Sequence, residues 1–440
     1  MQISREFNRG LKEIVFRRSD LVPISYYTTD AISLPHDEYI FFEGYITKWA
    51  GHEEEKLRRF FREGNNIHDL VEEAQDWDGC WSIVYINERG TVYCFTDPLG
   101  KKQLYYDDKG NLASSILPLA KNVSYELDPL YLGEIHKWGY NVDDLTPFKG
   151  IRRIMPNKVY MFVARVLQGI DPRPYYDFKW GVPKLSPDAF RGLISSSVVS
   201  YTEGLEENKA IAVLLSGGID SSIIAFELLR LKRLGDLKPA LHFYTINNQD
   251  DAPFVEIFAK KFGIQVKALS YDMETARLTD ALIINETPVD LGSMVPNQLM
   301  FQAIPERVIF TGDGPDELFG GYRRIDEYDS QKSDVFHELA FYHLPRLDKA
   351  ATHFGKDLRC PWLSYDIVRY ALNLPFEDRK HKACIKEAYR GIIPDEIIDR
   401  PKLPLKNDLL RKDPIEYRKK LLNLFEETFT NFDKAEYENQ

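Results

Sequence analysis

At 440 residues the chain is long enough for two domains, each with its own core, and its 44% hydrophobic and 28% charged residues match an ordinary soluble globular protein. A formal charge of −11 argues against a general nucleic-acid or membrane-surface binder, since neither polyanion is drawn to such a surface; a local basic patch at residues 56–62 stays open. Four scattered cysteines, Cys80, Cys94, Cys360 and Cys384, show no zinc or disulfide spacing. With no leader and no membrane-length apolar run in view, a reducing, cytoplasmic setting is the expectation.

In chain order, residues 1–165 carry short alternating apolar runs, such as 80–86 and 91–96 joined by a turn at 87–90, and read as mostly β. Residues 166–182, with Pro172, Pro174 and several aromatics, read as the connection between two domains. From 183 to 426 long amphipathic patterns alternate with buried strands at 210–215, 240–246 and 308–311, the βα alternation of a doubly wound parallel sheet. Residues 427–440 are polar and read as a frayed tail.

The strand at 210–215 runs into Ser216-Gly217-Gly218-Ile219-Asp220-Ser221-Ser222, and a helix is predicted over 219–231. Glycine lets backbone N–H groups approach a polyphosphate closely, and the helix points its positive end at the anion. Leu215, Ser216, Gly217, Gly218, Asp220, Ser221 and Ser222 are therefore the expected phosphate contacts, the serines as hydroxyl donors and Asp220 as a ligand for Mg²⁺. The lysine of the other common phosphate loop is absent. The pattern resembles the pyrophosphate loop of ATP pyrophosphatases, which split ATP to AMP and pyrophosphate. A merely flexible turn is the alternative.

A second motif, Gly312-Asp313-Gly314-Pro315-Asp316-Glu317-Leu318-Phe319-Gly320-Gly321-Tyr322, follows the strand at 308–311, at the carboxyl end where such sheets bind ligands. Three neighbouring carboxylates repel one another unless a cation or a proton-transfer task employs them, so Asp316 is the candidate to join Asp220 on Mg²⁺. An acidic helix cap through Asp313 or Asp316 is the simpler alternative.

Together these motifs resemble the asparagine synthetase family, whose second site reads Ser-Gly-Glu-Gly-Ser-Asp-Glu-Leu-Phe-Gly-Gly-Tyr. The likeness continues in Arg346-Leu347-Asp348-Lys349-Ala350, Arg359-Cys360-Pro361-Trp362-Leu363, Leu374-Pro375, residues 382–394 and Arg400-Pro401-Lys402. It implies that Lys402 contacts the ATP phosphates and the departing pyrophosphate. Asp313 matches the family's glutamate, a candidate acid or base at the substrate. Near the N-terminus Asp97-Pro98-Leu99-Gly100-Lys101-Lys102-Gln103-Leu104-Tyr105-Tyr106 and Ala113-Ser114-Ser115 resemble the family's glutaminase domain. That domain uses a cysteine directly after the initiator methionine, activated by its own α-amine.

Three departures matter. Gln2 stands where that cysteine belongs, and neither Ile3 nor Ser4 offers a thiol. Glu43-Gly44, after Phe42, takes the place of the oxyanion-binding Asn-Gly pair, which replaces an amide donor with a carboxylate. Aligned on Pro296, Gly292 stands where the family carries an arginine in the amino-acid site, which removes the natural clamp for a small dicarboxylate. Asp290 beside it is either a binder of a cationic group or a helix N-cap.

The expected architecture is an α/β C-terminal synthetase domain with a doubly wound parallel sheet, joined to a β-rich α+β N-terminal-nucleophile-like domain of glutaminase type. The resemblance implies an AMP-forming carbon–nitrogen ligase with ATP and Mg²⁺ as cofactors, adenine near Tyr244, Thr245 and Ile246, and Gly312 in the nucleotide site. The substrates are a small-molecule or peptide carboxylate and an amine or ammonia, contacted by Asp290, Gly292 and Asp313, without glutamine hydrolysis; a homodimer stays open. Ring closure as in β-lactam synthetases, which also lost the glutaminase site, and a non-catalytic nucleotide-binding protein are the alternatives. Sulfur transfer to a nucleic acid fits poorly, since no persulfide-bearing cysteine lies near the loops.

Overall fold

A computed structural model of the chain describes residues 12–16, 24–28, 31–141, 143–171, 173–178, 183–247, 249–270, 278–321, 338–401 and 414–437. Among the described residues up to 170 lie eleven strands: β1 (Lys12–Phe16), β2 (Ile24–Thr28), β3 (Ala31–Ser33), β4 (Tyr39–Ile46), β5 (Gly79–Ile86), β6 (Val92–Thr96), β7 (Tyr105–Asp107), β8 (Leu112–Ala113), β9 (Ile151–Arg153), β10 (Tyr160–Val163) and β11 (Val166–Ile170). They form a five-stranded sheet in the order β1-β2-β8-β7-β9 and a six-stranded antiparallel sheet in the order β11-β10-β6-β5-β4-β3. β5 is buried on both faces. On one side Trp81, Ile83 and Tyr85 meet Leu57, Phe61 and Leu70 of the helices Glu53–Arg62 and Ile67–Glu73. On the other, Val84 and Ile86 meet Tyr106 and Leu112 of the second sheet. The basic stretch at 56–62 lies on the first of those helices, where Arg58 and Arg59 pair with Glu54 and Glu63, so it is no bare cationic patch.

The remaining strands, β12 (Ala210–Leu214), β13 (Ala240–Ile246), β14 (Val266–Leu269), β15 (Val308–Phe310) and β16 (Asp357–Arg359), form one parallel sheet in the order β14-β13-β12-β15-β16. An all-parallel sheet must be covered on both faces. Ile211 and Val213 of β12 face the helices Pro187–Thr202 and Ile219–Leu234, while Ala212 faces Phe301 and Ala350 of the helices Leu291–Ala303 and Leu344–His353. The chain proceeds outward from β12 to β14 in one direction, then returns to β12's other flank and continues to β16. Strand order therefore reverses at β12, which opens a crevice at its carboxyl end.

Two expectations fail here. The expected connection does not begin at 166: Val166–Ile170 is β11, paired with β10, and beyond it Tyr176 and Phe178 are buried against Tyr365, with ring centroids 4.9 and 5.9 Å away. Tyr176 and Phe178 are thus core residues. Nor are residues 427–437 a frayed tail. They complete the helix Pro414–Tyr437, whose Leu421, Phe425 and Phe429 sit among Tyr125 and Phe148 of the N-terminal part. The apolar residues recur at helical spacing, a pattern that the many surrounding charges conceal.

Buried ion pairs fasten the N-terminal sheets to the parallel sheet's helices. Lys102 Nζ lies 3.1 Å from Glu43 and 2.9 Å from Asp348. Glu286 accepts backbone N–H groups of Ile116 and Leu117 while holding Lys349 at 2.6 Å. Among the described residues no helix is long and apolar enough to cross a membrane.

Candidate functional site

The crevice at the end of β12 is a cavity of about 1010 Å³. Leu215 leaves the strand with its N–H still bonded to Tyr244 O at 2.8 Å, which keeps the loop in line with the sheet. Ser216, Gly217 and Gly218 then turn the chain into the helix Ile219–Leu234. Gly217 has φ +68°, and a Cβ there would meet Phe254 at 2.8 Å and Asp251 O at 3.0 Å, so only glycine makes this turn. Ser221 Oγ accepts the Ser216 N–H at 3.1 Å and lies 3.1 Å from Ser216 Oγ, which preshapes the loop. Leu215, Ser216, Gly218, Asp220 and Ser221 all line the cavity, as do Thr245 and Ile246 at the end of β13. Ser222 does not: its side chain is fully buried in the helix packing, so the expected third hydroxyl donor is absent from the cavity wall.

The second loop crosses directly over the first. A Cβ on Gly312 would lie 2.5 Å from Ser221 N, and this contact brings Gly312, Asp313, Asp316 and Glu317 to the same cavity. The short helix Pro315–Leu318 has Gly314, not an aspartate, at its N-cap, with no side-chain capping bond. Asp316 is therefore available for another role. Its carboxylate and that of Asp220 converge on one point, where Lys382 Nζ lies 2.5 Å from each. Burial pushes the lysine's pKa down, but the two carboxylates outweigh it and raise the ammonium above its ordinary range.

At the far wall Asp290 and Gly292 line the cavity at the start of the helix Leu291–Ala303. Asp290 occupies the N-cap position but makes no capping bond; its carboxylate takes the Tyr342 hydroxyl at 2.8 Å and Arg346 at 3.3 Å. Its cationic partner is thus internal, and both earlier roles, cap and binder of a cationic substrate group, give way to this pair. Arg346 also reaches His343 Nδ1 at 2.9 Å, and His343 Nε2 lies 3.1 Å from Glu317. A guanidinium is therefore present on the wall where Gly292 offers none, contributed from 54 positions away in sequence. Lys382, Lys386 and Arg400 also line the site, and Arg400 donates to Ser216 O at 3.2 Å. Sequence spacing gave none of these a role, although all four, Arg346, Lys382, Lys386 and Arg400, sit in family-like stretches. Lys402 and Tyr322 lie outside the described residues, as does Gln2.

Sequence comparison agrees with this geometry. The asparagine synthase family model matches residues 199–340 and 331–437, which include both loops and Lys382. The chain belongs to the asparagine synthase family. A probable glutamine-hydrolyzing asparagine synthetase of Acanthamoeba polyphaga mimivirus is 25% identical over 397 residues, covering 83% of this chain and 70% of the viral protein. The glutamine-hydrolyzing asparagine synthetases of Gallus gallus and Homo sapiens are each 26% identical, over 227 and 223 residues, covering 45% of this chain and 39% of theirs. The chain thus spans well under half the length of those two relatives. Among solved structures, a U34-tRNA thiolase of Methanococcus maripaludis covers 53% of this chain at 14% identity with a TM-score of 0.23, too low to bear on the fold.

Against the family pattern, the N-terminal part has distinctive chemistry. Gly44 has φ +105°, and a Cβ there would strike Cys80 O at 1.9 Å, so the glycine is required by the close pairing of β4 with β5 whatever stands before it. Glu43 is held by Lys102. Burial pushes the thiols of Cys80 and Cys94 well up, and those of Cys360 and Cys384 to about 12. None of the four is disposed to form a thiolate near neutral pH.

Proposed function

We propose that this protein is an ATP-dependent ligase of the asparagine synthetase kind, which adenylates a substrate carboxylate, releases pyrophosphate, and forms an amide with ammonia or another amine without hydrolysing glutamine. The observation that carries this reading is the crossing of two loops at the strand-order reversal: Ser216, Gly218 and Ser221 on one, Asp313 and Asp316 on the other, around a single cavity. A division into two domains, with the N-terminal part extended through β11 and read as a glutaminase-type scaffold that has lost its own chemistry, belongs to the same proposal.

On this reading the phosphates lie on the N–H groups and hydroxyls of the first loop, at the positive end of the helix Ile219–Leu234. Adenine lies along the end of β13 at Thr245 and Ile246. Asp220 and Asp316 would hold Mg²⁺, which supplies positive charge to the polyphosphate; two carboxylates plus phosphate and water oxygens are a donor set that suits this ion. A carboxylate oxygen of the substrate forms a bond to the α-phosphorus and the bond to pyrophosphate breaks. Lys402 and Lys382 are the lysines assigned to the charge that develops on the leaving group. The amine nitrogen then forms a bond to the acyl carbon, AMP departs, and Asp313 takes the proton that the nitrogen sheds. Arg346, which lines the same cavity as Gly292 and pairs with Asp290, would orient the substrate carboxylate.

The test is product analysis. With a competent carboxylate and amine, phosphorus NMR shows AMP and pyrophosphate in equal amounts. ADP with orthophosphate as the stoichiometric products would refute the assignment.

A further inference from the structure

We propose that Lys382 is a resident surrogate cation: in the nucleotide-free protein its ammonium occupies the point where Asp220 and Asp316 converge, so a divalent ion enters only together with nucleotide phosphates. The inference rests on the ligase reading for what the site eventually holds, but the exclusion itself belongs to the protein alone.

Three observations carry it. The ammonium lies 2.5 Å from an oxygen of each carboxylate, and all three side chains are no more than 12% exposed. Such a buried group offers a charge-assisted hydrogen bond to both acids at once. Next, the lysine is delivered by strained backbone: His381 has φ +54° and Lys382 φ +60°, two successive left-handed residues without a glycine between them. Strain of this kind persists where the surroundings over-determine it, characteristically at ligand clamps. Finally, the arrangement is closed from above. A Cβ on Gly321 would lie 1.9 Å from Asp316 Oδ1 and 2.5 Å from Lys382 Cε, so the backbone lies against the pair with no room for a side chain.

Mg²⁺ seeks six oxygens in a near-octahedral shell and gives up water reluctantly. Against a seated ammonium, two carboxylates offer it too little, and the two cations repel at close range. Arriving phosphates alter both sides of that balance. They supply further oxygens to the divalent ion and a new anionic partner to the lysine, whose four-carbon stem lets the ammonium move from carboxylate to phosphate without a change in fold.

The probe is Mn²⁺, followed by loss of the free-ion EPR signal, in the full-length chain with and without the uncleavable analogue α,β-methylene-ATP. Wild-type protein alone should leave the Mn²⁺ signal unchanged, and uptake should appear only with the analogue. Lys382→Met should take up Mn²⁺ without nucleotide, at least about tenfold more tightly than wild type, and adding Asp220→Asn should abolish that gain. Lys382→Arg, which retains a cation, should exclude the ion as wild type does. The proposal is overturned if nucleotide-free wild type binds Mn²⁺ as tightly as Lys382→Met, or if folded Lys382→Met gains nothing. Should Lys382→Met fail to fold, nucleotide-free uptake by wild type or by Lys382→Arg overturns the proposal, and exclusion by both supports it. If wild type binds no nucleotide, the ligase reading fails while the nucleotide-free comparison still decides the role of Lys382.

Discussion

Asp220, Asp316 and Lys382 form a buried triad with one more negative than positive charge, which makes the effects of single substitutions on stability and on chemistry separable. Asp316→Asn leaves a balanced carboxylate and ammonium in a side chain of the same shape, so unfolding free energy should change by no more than about 1 kcal/mol. Turnover, measured as pyrophosphate release, should fall about 100-fold or more, because the divalent ion assigned to the leaving phosphates would lose one of its two carboxylate ligands. Equal losses in stability and rate would mean that the acids serve only the fold. Asp97 offers a different single-residue test. Its carboxylate is fully buried and accepts N–H groups of Leu99, Lys101 and Lys102 at 2.9–3.1 Å. Burial pushes its pKa up to about 6, against the opposing pull of Lys101 and those three bonds. A carboxyl group raised in the folded state favours folding most when protonated. Its contribution is therefore fully present below about pH 4 and is lost as pH rises through about 6, a swing of about 3 kcal/mol. Urea unfolding of wild type and Asp97→Asn at several pH values between 4 and 7 should show wild type losing stability relative to the variant over that window. Parallel curves would rule it out.

The two loops fix the site by backbone contact, so glycine substitutions should sort by location and not by helix propensity. Gly312→Ala forces a Cβ to within 2.5 Å of Ser221 N and should lower affinity for a fluorescent ATP analogue about tenfold or more. Gly133→Ala, in the middle of the helix Pro129–Trp138 with open space around it, should leave binding unchanged and raise stability by up to about 1 kcal/mol. Unaltered nucleotide binding by Gly312→Ala would show that the crossing of the loops is incidental. These loops were legible in the sequence because each follows a short, fully apolar strand and is itself contiguous: β13 was read residue for residue, and β12 and β15 to within one. What escaped was whatever depends on the return of distant chain. Lys382 reaches Asp220 across 162 positions and Arg346 reaches Asp290 across 56, and no spacing rule encodes such meetings. Ser222 was assigned by its place in a motif, yet one helical position turned its hydroxyl inward. β11 and the helix Pro414–Tyr437 were missed because prolines and charges dominate their windows, while a few aromatics decide the packing.

At the scale of the whole molecule, the N-terminal sheets are built into the ligase and not appended to it. Lys101 donates to Leu363 O at 2.9 Å, Lys102 bridges Glu43 and Asp348, and the helix Pro414–Tyr437 returns to cover Phe148. On the proposed reading, the position aligned with the family's oxyanion donor is a structural joint: Glu43 pairs with Lys102, and a carboxylate offers no hydrogen to a tetrahedral oxyanion. Gln2 supplies no thiol at the second residue, and burial keeps the chain's four cysteines protonated. Loss of one oxyanion donor alone costs about 10²–10³ in rate, and loss of the nucleophile removes the covalent route altogether. Purified protein should therefore release no glutamate from glutamine, with or without ATP. Pyrophosphate release should continue when ammonium or another amine is supplied. Because two separate requirements are missing, Gln2→Cys alone should not restore hydrolysis. A coupled glutamate assay run beside the pyrophosphate assay decides the matter: glutamate released at a rate comparable with pyrophosphate would overturn the scaffold reading and direct the search for a nucleophile to Cys80, the half-buried cysteine of β5.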